Sequence, residues 1–533
     1  MRPSRRGARL STPQSLRLLV AGVVVLLVAY VGVLLSAISA ADDGLRVVGR
    51  TAGPQVVSAN ALHGALAGMD AELANTVLVG DEPGLGFSRE QALASFAANR
   101  KALGQAIEET GAGIDGDDAR RALADLIEQV GRYDNLAGQV TLLDHQSDGR
   151  ALTDVSPALA LLRQASDLMR GTLLPEADRL SAGNAQAVEV TYTDTYGDAR
   201  GLGLWSLLPG VALVVVLVGG QMFVARRTRR VFNPWMLTAT AVVAVLVCAG
   251  TGTTLSAAEN LRVAKKDAFD SVLALTRATA IAKDANGDES RFLADRARAA
   301  DAERAFAAKS QQLATFDGVD LDRYAEALRV SVTGLPGFAK GAEPPFGGQF
   351  GREFRNITFA GERAAAEEAL RWYARYQLYD RQMRAMVARG DIRGAIDFTT
   401  GYGENDSNWS FHHFIEALDA VTLINRTHMD SATDAGLDGL AGRGPAAGVL
   451  ALVVAVLVWA GVRPRLAEYR TGEQSTRRLF RRDGRSADSG PAGGAGAPKT
   501  PRHGAIVARP PRPALPPPGP PAAVGSGAIP APH

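Results

Sequence analysis

The chain has 533 residues, room for more than one domain, and its 58 Lys and Arg nearly balance 56 Asp and Glu. The single cysteine, Cys248, excludes an intrachain disulfide and a cysteine-based metal cluster. The net charge of +2 leaves no footprint for nucleic acid, and the Gly-, Ala- and Arg-rich composition is that of a high-GC bacterium.

In chain order, residues 1–17 carry five arginines and no acid. Residues 18–41 are the first of four stretches long and apolar enough to cross a bilayer, which takes about 20 residues. The others are 204–224, 235–257 and 446–462, and none of the four contains Asp, Glu, Lys, Arg or His. Trp205, Trp235 and Trp459 sit near their ends, where interfacial aromatics belong. Ser39-Ala40-Ala41 resembles a signal-peptide cleavage site, but the apolar run before it is longer than such peptides carry. The first stretch therefore reads as an uncleaved anchor.

Residues 42–203 are rich in Ala, Leu, Arg and Glu and show helical periodicity. Leu123, Leu126, Val130, Tyr133, Leu136 and Val140 recur at three- and four-residue steps, as do Leu159 and Leu162. Breaks at 80–84, 111–116 and 147–149 divide this region into four helices. Residues 225–234 form a short link with Arg226, Arg227, Arg229 and Arg230. Residues 258–445 repeat the scheme, with breaks near Asn286-Gly287 and Phe316-Gly318 and a long unperiodic loop over 334–351. Strong helices follow at 361–389, with Tyr373, Tyr376 and Met383, and at 407–429, with Phe411, Phe414, Leu418 and Val421. Residues 463–488 are basic and include Arg477, Arg478, Arg481 and Arg482. From 489 to 533 the chain is rich in Pro, Gly and Ala and is expected to be disordered.

Charge predicts the topology. The two ends and the short link hold 21 basic and 4 acidic residues, and the two long connections hold 37 basic and 52 acidic. Positive loops stay in the cytoplasm. The expected protein is therefore multi-pass in a bacterial plasma membrane, with both termini cytoplasmic and both long connections outside. The expected fold class is all-α: four transmembrane helices, two extracytoplasmic antiparallel four-helix bundles side by side, and the tail. The arginines at 226–230 and 477–482 are candidate contacts for lipid headgroups or a cytoplasmic partner.

No P-loop, nucleophile elbow, kinase signature or dinucleotide fingerprint is present. The chain thus reads as a non-enzyme, with no catalytic, cofactor-binding or metal residue to name. The stretch from Phe398 to His413, FTTGYGENDSNWSFHH, nearly spells a potassium-channel filter at Thr399 to Gly403. It lies about 140 residues from the third span and is followed by Glu404 and Asp406, so the filter reading fails. His412 and Glu416 share a helical face, but adjacent histidines point about 100° apart and cannot both join it. The stretch reads as an external turn between two helices. Tyr376, Tyr402, Glu404, Asn408, Trp409, His412 and His413 are the candidate contacts for a ligand or partner.

The unit of span, helical bundle and span resembles the input half of bacterial chemoreceptors and sensor kinases, here doubled on one chain. No HAMP-like heptads or kinase follows the last span. Together with the exit segment from Gly461 to Arg470, GVRPRLAEYR, this architecture resembles one four-span membrane protein of high-GC bacteria. That protein accompanies a glutamate/aspartate-binding solute-binding lipoprotein and a Ser/Thr kinase of the protein kinase G type. The resemblance implies a signalling protein whose external helices sense a small solute or a ligand-loaded solute-binding lipoprotein. The signal would pass to a separate cytoplasmic Ser/Thr kinase; membrane lipid and a homo-oligomer are the other expected associations. A permease component, and an envelope scaffold acting through the Pro-rich tail, are the alternatives that the same spans and tail allow.

Overall fold

A computed structural model describes residues 12–82, 84–113, 117–146, 156–228, 233–334 and 343–483. All regular structure among them is helical, with no strand. The first half comprises α1 (Thr12–Gly49), α2 (Ala52–Val79), α3 (Arg89–Ala112), α4 (Asp117–Gln146), α5 (Pro157–Leu168), α6 (Leu174–Trp205) and α7 (Leu207–Thr228). The second comprises α8 (Pro234–Arg262), α9 (Asp270–Ala294), α10 (Ala299–Leu313), α11 (Leu321–Gly334), α12 (Gly348–Asn356), α13 (Glu362–Ala388), α14 (Ile392–Thr400), α15 (Ser407–Leu440) and α16 (Arg443–Asp483). Among the described residues, those up to Glu468 form one compact unit, and those from Tyr469 belong to a second.

Four helical segments are long and apolar enough to cross a membrane, and they contain the four predicted stretches. Val23, Leu27, Tyr30, Leu213, Val243 and Val454 form the core between α1, α7, α8 and α16. Val25, Val28, Val215 and Leu452 point outward and are exposed, as lipid-facing side chains must be. Close helix contact is set by small residues: a Cβ on Gly250 would stand 2.6 Å from the Tyr30 hydroxyl. That hydroxyl donates to the Leu246 carbonyl at 2.9 Å.

The junctions between these spans and the remaining helices are interrupted. α1 ends at Gly49 and α2 starts at Ala52, a break so tight that a Cβ on Gly53 would meet the Val48 carbonyl oxygen at 1.8 Å. α6 ends at Trp205 ahead of Pro209, whose ring and missing N–H end the ladder. A π-helical stretch, Val263–Phe269, joins α8 to α9, and Ala441 and Gly442 separate α15 from α16. A core of Leu45, Tyr192, Leu261, Phe269 and Met429 gathers these junctions. Beside it Lys265, almost fully buried, holds Glu189 and, at 2.7 Å, Asp270. A second π-helical stretch, Met169–Leu173, joins α5 to α6 just before Pro175, the residue type that disrupts an α-helical ladder.

Two further cores fill the rest. One takes Leu62, Leu66 and Leu73 of α2, Leu103 of α3, Tyr133 of α4 and Leu162 of α5; each leucine so buried contributes about 2 kcal/mol. The same core contains Leu293 of α9, Ala302 of α10, Met383 of α13 and Ile396 of α14. The expected side-by-side cores are therefore joined: the second half completes the core of the first. The other core is aromatic, with Phe306, Tyr324, Phe350, Tyr373, Tyr376 and Phe414.

Several expectations change. The break at Asn286-Gly287 does not occur. α9 runs through both to Ala294, because this end of α9 is buried and the missing side chain leaves room for the Arg291 guanidinium, 3.1 Å from a built Cβ. The loop 334–351 is shorter than expected, since α12 begins at Gly348 and 335–342 lie outside the described residues. The helix from Ser407 extends past Met429 to Leu440. Periodicity is lost after Tyr469, yet α16 continues to Asp483 with Pro464 inside it. The expected disordered tail, 489–533, lies outside the described residues, as do Arg229 and Arg230.

In the aromatic core, α12 brings Glu353 against Glu362 at the start of α13. Both carboxyls are fully buried. Glu362 accepts backbone N–H bonds from Thr358 and Phe359 at 2.7 and 2.8 Å. Burial and the neighbouring Glu362 carboxylate push the Glu353 carboxyl up to about 8.

Candidate functional site

The predicted contact residues separate into three groups. Tyr376 is buried in the aromatic core, where its hydroxyl donates to Glu289 at 2.9 Å. It is a core residue rather than a contact surface. Burial and Asp380 push the Glu289 carboxyl up to about 8, so it is largely protonated near neutrality.

Trp409 and His413 belong to an outer cluster with Trp372 and Arg375. Trp372 packs at 5.1 Å from Trp409 and 4.7 Å from His413. The Arg375 guanidinium lies 4.8 Å from the Trp409 ring, a cation–π contact. Arg375 also donates to the Glu404 carbonyl at 3.2 Å. It thereby fastens the 401–406 loop to α13, leaving the Glu404 side chain exposed. Asp406 closes the loop by accepting from Gly403 N–H at 2.7 Å, and at the other end of α14 Asp391 caps the helix by accepting from Gly394 N–H at 3.0 Å.

Tyr402, Asn408 and His412 line a cavity of about 200 Å³ between the two halves, opposite Glu72 of α2, Asn99 of α3 and Lys283 of α9. Asn99 comes this close because Gly68 has no side chain; a Cβ there would stand 2.5 Å from the Asn99 amide oxygen. Asn408 donates to the Thr400 carbonyl at 3.2 Å. Against the expectation that the two histidines could not share Glu416, both turn to it, His412 from i, i+4 at 3.2 Å and His413 from i, i+3 at 2.9 Å, because the carboxylate reaches both with its two oxygens. Burial pushes the Glu72 carboxyl up to about 7, an effect that a hydrogen bond from Asn75 partly offsets. Burial and the Glu72 charge push the Tyr402 phenol up to about 12. Burial pulls the Lys283 ammonium down, with Asp419 opposing. Among the described residues no group of three or more His, Cys, Asp and Glu is placed to hold a metal ion.

Two residues before Glu72 on α2, Asp70 anchors a buried polar network across five helices. Its carboxylate accepts from Ser166 of α5 at 3.0 Å and Tyr133 of α4 at 3.3 Å, and pairs with Arg291 of α9. Arg291 also holds Asp288 at 2.6 Å. Lys309 of α10 closes the network on Asp284 at 2.8 Å and on Asp288. Arg291 borders a second cavity of about 530 Å³ between α5, the 169–173 π stretch and α10. Arg163 and Asp295 form a bidentate pair on that cavity's wall, at 2.7 and 2.6 Å.

The sequence pointed to one wall of the first cavity and missed the other. Glu72, Asn99 and Lys283 come together only through the packing of α2 on α9. A signal was present: from Ala59 to Val79, Asp70 and Glu72 are the only acids in a largely apolar, Ala-rich run. Helices apolar on all faces are buried, and acids within them need a partner or a purpose. Of the arginines predicted to face lipid or partner, Arg226 is exposed at the end of α7 and Arg227 follows it. Arg477, Arg478, Arg481 and Arg482 fall on α16.

Residues 44–193 match the sequence model of the Actinobacterial sensor domain. The match runs from the end of α1 into α6 and takes in Asp70, Glu72 and Asn99, but not Lys283 or Tyr402. No curated protein and no solved structure matches the chain. Over the first half, then, the chain is similar to a bacterial sensor domain of actinobacteria; with its four apolar helices it is a multi-pass membrane protein with a sensing or signalling role.

Proposed function

We propose that this is a non-enzymatic sensor of the bacterial plasma membrane. Its two long connections lie outside and both termini inside. The outer helices receive a small solute, or a solute-binding protein loaded with one, and relay its presence to a separate cytoplasmic effector such as a Ser/Thr kinase. The observation that carries this reading is the joining of the two halves. α2 and α9 pack along each other, share a core and polar cavities, and lead through interrupted junctions into the first and third spans. A ligand between the halves would change how α2 sits on α9. The interrupted junctions and their shared core are the bistable elements through which such a shift reaches the cytoplasmic ends.

Paired cysteines at the inner ends of α1 and α16, in a chain with Cys248 replaced by serine, test this. Their disulfide cross-linking rate in native membranes is expected to change when solutes from growth medium are added outside. A rate independent of every added solute, and of a co-expressed solute-binding protein, would sink the relay.

A further inference from the structure

We propose that the 200 Å³ cavity between α2, α9 and the start of α15 binds a small zwitterion, its carboxylate held by Lys283 and its ammonium by Glu72. The inference rests on the sensor reading and names the ligand class that the sensor would take.

Lys283 lies against α2, its Cδ 3.5 Å from a Cβ built on Gly64, and it reaches the cavity wall. No described residue forms a hydrogen bond or ion pair with its ammonium. Asp419 is close enough to favour its charge but not to pair with it. Glu72, on the opposite helix, accepts a single hydrogen bond, from Asn75 at 3.2 Å. Glu72 and Lys283 are both part-buried, and charged groups drawn out of water are ordinarily paired. Here a cation and an acid line one cavity without pairing with each other, and each lacks what the other would offer. A ligand carrying both complementary charges satisfies both at once. A simple anion would leave Glu72 unmatched, and a simple cation would leave Lys283 so.

The remaining wall suits the body of such a ligand. Asn99, Asn408 and the Tyr402 hydroxyl supply neutral donors and acceptors, and Phe411 and Ile415 an apolar side. The volume equals that of about seven waters, which fits a free amino acid. Bound there, a zwitterion would tie α2 to α9 through its two ends and touch the first turns of α15 through Asn408 and His412. These helices lead into three of the four spans.

The test uses the full chain in detergent, its thermal unfolding followed with each standard amino acid and γ-aminobutyrate added one at a time. Propionate and propylamine serve as single-charge probes. At least one zwitterion is expected to raise the midpoint by a few degrees, with neither single-charge probe doing so. Lys283→Met and Glu72→Gln each remove a part-buried charge that no ion pair compensates, so they should fold at least as well as the parent, and each should weaken the response at least tenfold. Should one variant fail to fold, the other decides alone. A panel in which no zwitterion shifts the midpoint, or variants that respond like the parent, would overturn the assignment. If medium solutes still alter cross-linking of the inner helix ends while the panel is silent, this site falls and the sensor stands. If the panel shifts unfolding while cross-linking never changes, the site stands and the relay falls.

Discussion

Replacing Glu353 by glutamine should make the protein's stability less sensitive to alkali. The wild-type carboxyl is buried against Glu362 and titrates at about 8, against 4.5 in an unfolded chain. The folded state therefore binds its proton more tightly than the unfolded state does. The resulting stability is fully present below about pH 4.5 and is lost as pH rises through about 8. Each tenfold fall in proton concentration inside that window costs about 1.4 kcal/mol. Between about pH 6 and about pH 8 the loss is about 2 kcal/mol, slightly less than the full slope because the group is half-titrated at the upper limit. E353Q keeps the shape of the protonated acid and has no proton to lose. Glu72 and Glu289 titrate in both proteins, so the difference between the two isolates Glu353. Unfolding in detergent, followed by intrinsic fluorescence at the two pH values, should show the variant gaining about 2 kcal/mol on the parent at the higher pH. A gap that does not change with pH would mean that Glu353 is already ionised and that the carboxyl pair is not as described.

Arg291→Met should cost about 3–5 kcal/mol, because it strands the buried Asp70 carboxylate and takes from Asp288 one of its two cations, leaving Lys309. Adding Asp70→Asn should recover part of the loss in the same unfolding assay, and a loss below about 1 kcal/mol would contradict the network's burial. Gly348→Ala forces a side chain into the left-handed region at φ 72° and sets a Cβ 2.6 Å from the Gln312 carbonyl oxygen. A loss of about 2 kcal/mol or more is expected, with the start of α12 the first segment to exchange amide hydrogens. Single cysteines placed at Arg230 and Pro345 after replacing Cys248 report topology. An impermeant reagent should label position 345 in intact cells and position 230 only after lysis; the reverse pattern would invert the orientation.

The spans were legible because lipid imposes a length and a composition that nothing else in the chain meets. α13 and α15 were legible because one face of each is apolar at helical spacing. α2 and the end of α9 were harder. Both are enclosed on every side, so Ala, Gly and Asn appear where a half-exposed helix would show a stripe, and Asn286-Gly287 looked like a break. α12 was hidden in a glycine-rich segment whose Phe350 and Phe354 pack as a helix, with Phe346 just ahead of it, only when the aromatic core is present. The candidate site was half legible: its loop wall carried turn residues and aromatics in sequence, whereas Glu72 and Lys283 are separated by over 200 residues.

A receptor assembled from two copies of one chain repeats each side chain across its axis and offers two equal half-sites. In this protein the facing helices α2 and α9 belong to one polypeptide and carry different groups, an acid on one and a lysine on the other. A mutation alters one wall and leaves its counterpart alone. Occupancy of the proposed site would then follow one saturation curve per chain, free of competition between mirrored sites, and its midpoint could be tuned from either side independently.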